Sequence, residues 1–149
     1  MSTHPYLRAY LAGIFVPTLI LPLMLTAFIA LRLVLQVPVP IERGIIFPMA
    51  LVPAVWGLWN VLRFGSRQRT HLAVGLHGAI LPALLLPCGA ILARHLGILA
   101  LGASKVTWFN ALSVPYALIA AGFCVGVAVY YLVWKYIVGF LNRILGIAP

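Results

Sequence analysis

Acidic side chains are almost missing from this chain: it has no aspartate and a single glutamate, Glu42. That scarcity excludes paired-carboxylate hydrolysis of the glycosidase type and carboxylate-bound metal sites. It also excludes a Ser-His-Asp triad, so Ser104 and Ser113 have no acid to complete one. A proton-coupled carrier usually holds an acid within a span. Glu42 instead falls in a loop beside Arg43, where an ion pair or a helix N-terminal contact accounts for it. Charge of either sign is scarce: 7% of residues are charged and 64% are hydrophobic, too little charge to cover a water-soluble domain. Cysteine is limited to Cys88 and Cys124, which form no C-x-x-C motif and read as small buried hydrophobes within apolar runs.

What the chain has in abundance is long apolar runs, and its mean hydropathy is +1.14. A membrane-spanning helix needs about 20 mostly apolar residues. Four runs approach this length: about Tyr10 to Leu35, Ile45 to Leu62, Leu72 to Ala93 and Ala111 to Trp134. The expected fold is therefore a single-domain, all-α integral membrane protein, residues 1–149, built as a four-helix bundle with Pro-kinked helices. The first run is too long for a signal-peptide core and reads as a retained helix. The net charge of +9 comes from cations spread singly among the loops. That spread suits anionic lipid headgroups and not nucleic acid.

Counting cations by side places six on the side of both termini and four on the other. By the positive-inside tendency both termini are expected in the cytoplasm, with the protein in the cell (inner) membrane. The third connection contains apolar Leu96 to Gly102, too short to span and expected to lie in the interface or re-enter. The tail from Lys135 to Leu145 is apolar enough to be a C-terminal interfacial helix, bending near Gly139.

Proline recurs in a pattern: Pro17 to Pro22, Pro48 to Pro53 and Pro82 to Pro87 each bracket four residues, and Pro115 to Ala120 matches except at its end. The starts are 31, 34 and 33 residues apart, about one span plus a loop, as an internal duplication would give. Membrane helices tolerate proline where neighbours or water satisfy the freed carbonyls, so kinks at similar depth could frame a cavity. Packing signals lie in the third and fourth spans. Gly75 and Ala79 share one face; Gly122 with Gly126, and Ala117 with Ala121, are likewise four apart. These faces could close within the chain or between copies.

The remaining chemistry is sparse. His71 and His77 are six apart and point about 120° away from each other, so they do not share a metal. No metal or other cofactor is expected. His77 lies among apolar residues, and with Asn60 and Trp56 it forms the candidate ligand or cavity set. Arg63, Arg67 and Arg69, with His71, form the densest cationic patch and could grip a lipid phosphate by paired hydrogen bonds. Trp56, Trp59, Trp108 and Trp134 fall near span ends, as interface anchors do. The leading expectation is a small channel or transporter-like homo-oligomer. The alternatives are a non-catalytic accessory or scaffold subunit of a membrane complex, and a lipid-phosphate enzyme or flippase working at the second-loop arginines.

Overall fold

Apolar sequence becomes helix here over most of the chain. The computed structural model describes residues 4–37, 46–66 and 72–147. Glu42, Arg43, Arg67, Arg69 and His71 lie outside the described residues. Helix α1 covers Pro5–Ile29 and widens into a π-helical turn, Ala30–Val34. Helix α2 covers Phe47–Ser66 and α3 covers Val74–His95. Three short strands follow: β1, Leu99–Leu101; β2, Lys105–Trp108; β3, Leu112–Pro115. Helix α4, Tyr116–Val133, leads through a second π-helical turn, Trp134–Val138, into α5, Gly139–Ile144.

Among the described residues, three helical stretches are long and apolar enough to cross a membrane: Pro5–Val34, Val74–His95 and Tyr116–Ile144. Large apolar side chains such as Leu23, Leu33, Ile91, Leu118 and Val125 are exposed along them, a surface suited to lipid. Helix α2 has 20 residues but is not among the three. Trp59, Asn60 and Arg63 dilute its apolar character.

Several expectations change. The fold is not all-α. Gly97, at φ +69°, ends α3, with Ile98 N–H donating 2.8 Å to the Ala93 carbonyl in a helix-closing bond. The apolar stretch expected in the interface then becomes β1, first strand of an antiparallel sheet in the order β1-β2-β3. Phe109 and Asn110 both take positive φ in the turn between β2 and β3, the combination that suits the right-handed twist of a hairpin. The last span begins at Tyr116 and not near Ala111, because residues 112–115 pair with β2. Pro115 is thus the N-cap of α4 and not an interior kink; proline also restricts Val114 before it to extended backbone. Prolines 17, 22, 53, 82 and 87 do lie inside helices. The tail does not bend at Gly139, which keeps helical angles (φ −62°, ψ −39°); helix continues to Ile144. Its buried Asn142 and Ile147 make it part of the packed bundle.

Packing is organised in two close pairs, α1 on α2 and α3 on α4 with its π turn. Each pair meets at glycine. A Cβ on Gly13 would lie 2.6 Å from the Trp56 carbonyl oxygen and 2.8 Å from the Gly57 Cα. One on Gly57 would meet the Tyr10 ring and Ile14. Gly75 lies against the Tyr131 ring, and Gly78 is covered by Trp134. Buried Ala9, Ala12, Gly13 and Pro17 form the α1 stripe facing α2. Small residues let backbones approach closely where apolar burial alone gives no preference over lipid. Of the expected packing set, Gly75 is used so. Ala79 is half-buried, while Gly122 and Gly126 have open space where a Cβ would be, and Ala117 and Ala121 are exposed. The α4 face is therefore not closed within the described chain.

Replacing Gly57 by leucine should overpack the α1–α2 contact and cost about 1–3 kcal/mol. The check is the unfolding midpoint in detergent, followed by tryptophan fluorescence. Gly65→Ala, whose Cβ would meet only Tyr6 at an ordinary 3.8 Å, should leave it nearly unchanged.

Candidate functional site

The polar residues of the bundle gather where the two helix pairs meet. Asn60, on α2, is 2% exposed and Asn142, on α5, 3%. The Asn60 Nδ2 donates to the Asn142 Oδ1 at 2.9 Å, and the Asn142 Nδ2 donates back to the Asn60 Oδ1 at 3.2 Å. Asn60 Nδ2 also donates to the Ala9 carbonyl of α1 at 2.7 Å. One side chain therefore ties together α1, α2 and α5. A cation-to-carbonyl tie adds to this: Arg8 Nη1 donates at 3.3 Å to the Leu145 carbonyl, just past the α5 C-terminus.

His77 of α3 and Trp59 of α2 form a reciprocal pair. Trp59 Nε1 donates to the His77 carbonyl at 2.9 Å, and His77 Nε2 lies 3.1 Å from the Trp59 carbonyl. A carbonyl only accepts, so this contact requires the proton on Nε2. The two rings stack with centroids 4.7 Å apart and 24° between planes. Trp134 meets the His77 ring edge-on at 5.9 Å and lies 5.5 Å from Trp56, which in turn meets Tyr130 at 5.0 Å. Trp134, Trp56, Leu81 and Val138 form the main core.

The sequence-derived ligand candidates all fall in packed interior but in different contacts: Trp56 and His77 both meet Trp134, whereas Asn60 is bonded to Ala9 and Asn142. His77, Asn60 and Trp56 are all buried. Trp56 and Trp134 are core residues and not interface anchors; Trp59 and Trp108 are half-buried. The indole N–H groups of Trp56 and Trp134 are buried with no acceptor among the described residues. Of the phosphate candidates, Arg63 sits half-buried in the last turn of α2, where a cation suits the helix C-terminus. Arg67, Arg69 and His71 lie outside the described residues. Among the described residues no three His, Cys, Asp or Glu side chains gather. Cys88 and Cys124 are free and exposed, not buried; each faces outward from an apolar helix.

Sequence reasoning missed Asn142, Trp59, Gly13, Gly57 and Gly78. A signal existed for Asn142: it is an isolated amide in an apolar tail, as Asn60 is in its own helix, and each needs a partner when removed from water. The chain matches no family model, no curated protein and no solved structure.

Replacing Asn142 by alanine leaves the Asn60 carbonyl oxygen without its donor and should cost about 1–3 kcal/mol. In a double-mutant cycle with Asn60→Ala, the coupling should be about 0.6 kcal/mol and at most ~1.7 kcal/mol. Chemical unfolding in mixed micelles measures both, and purely additive losses would show that the amide pair carries no coupling.

Proposed function

We propose that this chain is a non-catalytic membrane-embedded assembly subunit, a bundle of four membrane helices whose copies join through α4. The observation that carries the reading is that α4 has no buried residue over 18 positions and leaves Gly122 and Gly126 open. Two glycines one helical turn apart allow close backbone approach by a second helix in lipid. The inner polar groups support the same reading from the other side. Asn60 is occupied with Asn142 and the Ala9 carbonyl, and His77 with Trp59, so these four side chains are spent within the bundle.

A second reading, a channel or transporter-like homo-oligomer, draws on a different observation. The Trp56 and Trp134 indole donors are buried without an acceptor, and a passing solute or water would supply one. The reading of a lipid-phosphate enzyme or flippase depends on the second-loop arginines and draws no support from the described residues. Under both leading readings the protein sits in the cell membrane with its termini in the cytoplasm.

Native mass spectrometry of the detergent-held particle tests the assembly. The wild-type chain should give a discrete homo-oligomer, and Gly122→Leu should convert most of it to monomer without lowering the unfolding midpoint. A monomeric wild-type particle would overturn the proposal. Solute flux into liposomes that is lost in His77→Leu would favour the transporter reading instead.

A further inference from the structure

We infer that the groove between the C-terminal half of α3, the sheet and the start of α4 holds one acyl chain of an anionic phospholipid, its phosphate at Arg94. The groove has a volume of about 550 Å3 and an almost wholly apolar lining. Strand pairing explains that lining. Leu99 is opposite Trp108, and Leu101 is opposite Val106. Directly paired residues share a sheet face, so these four side chains form one apolar face, and all four line the groove. The other face carries Lys105, Thr107 and Ser113, the last two bonded to each other at 3.1 Å. The sheet is amphipathic, and its apolar side covers the cleft between α3 and α4.

Length and charge identify the occupant. The α3 lining runs from Leu85 to Leu96, about 16 Å at the helical rise. That is half of a hydrocarbon core about 30 Å thick, the depth of one leaflet. A methylene takes up a share of volume close to that of a water, about 30 Å3, so the groove accommodates a single long chain. Tyr116 lines the groove, but its hydroxyl is already spent on the Gly102 carbonyl at 2.9 Å. The groove interior thus offers little to a polar ligand. A cation stands beside it. Arg94 lies in the last turn of α3, between lining residues Ala93 and Leu96. It is exposed, its side chain has no ion-pair or hydrogen-bond partner among the described residues, and those residues include no carboxylate side chain. A lipid phosphate supplies the missing counter-charge.

The test is native mass spectrometry of the full chain released from nanodiscs of equal phosphatidylglycerol and phosphatidylcholine. The wild type should retain one phosphatidylglycerol per chain, favoured roughly fivefold over phosphatidylcholine. Arg94→Gln should remove the preference. Gly89→Phe should abolish retention, because Gly89 lines the groove and a Cβ there meets nothing within 4 Å, so the larger side chain fills the groove without a clash at its root. Its unfolding midpoint should match the wild type. Equal retention of the two lipids by the wild type would overturn the inference, as would undiminished retention by Gly89→Phe. So would a lipid-free dimer that Gly89→Phe dissociates, which would make the groove a contact between copies. Gly122→Leu should leave lipid retention unchanged, so failure of the α4 assembly and failure of the lipid site are separately visible.

Discussion

The amide of Asn60 is the constraint around which the bundle closes. It donates to the Ala9 carbonyl and exchanges hydrogen bonds with Asn142, and so holds α1, α2 and the end of the chain in one register. In water such an amide would have competing partners. In a helix bundle surrounded by lipid an unpaired amide is costly, so its partners must come from the chain. The Trp59 and His77 pair performs the same service between α2 and α3. Helix α2, less apolar than the other long helices, is thereby placed where its polar side chains are consumed internally.

Close approach makes these bonds reachable. Gly13 against Gly57, and Gly75 and Gly78 against Tyr131 and Trp134, remove the side-chain bulk that would hold the helices apart. The π turn at Trp134–Val138 adds to this. Trp134 and Val138 are both completely buried, and the helix that follows presents Asn142 to Asn60. A continuous helix with one wider turn therefore serves both an aromatic contact and, two turns later, a polar one. Aromatic area and hydrogen bonding are satisfied by the same element, with two indole N–H groups left over.

The periphery is organised in the opposite way. Helix α4 presents small residues that nothing among the described residues covers, and the sheet folds its apolar face over a cleft that it does not fill. Paired amide and imidazole groups at the centre, and two outer surfaces left uncovered among the described residues, are the features on which the proposed membrane contacts rest. The inferred lipid site and the proposed α4 contact lie on different surfaces, one around Gly89 and the sheet, the other along Gly122 and Gly126. Each can be occupied without the other.

Much of the helical content was legible because apolar length is a local property. The runs around Tyr10 to Leu35 and Leu72 to Ala93 differ from the observed helices by only a few residues, since arginines and polar residues mark their ends. Gly75 could likewise be recognised as a packing residue from its spacing with Ala79. The sheet was not legible. Leu96 to Gly102 is apolar in a way that suits an interfacial segment as well as a strand, and only pairing with residues 105–108 decides between them. Pro115 shows the same limit: its motif matches the kinked helices, but its neighbours are claimed by β3. The sequence by itself determined the apolar helices and the scarcity of carboxylates, because hydropathy and composition act residue by residue. The tertiary structure alone decided that Asn60 meets Asn142, that Trp134 is core and not anchor, and that the α4 glycines stay open. Each of those outcomes depends on which distant residue arrives opposite, and one-dimensional spacing carries no record of that.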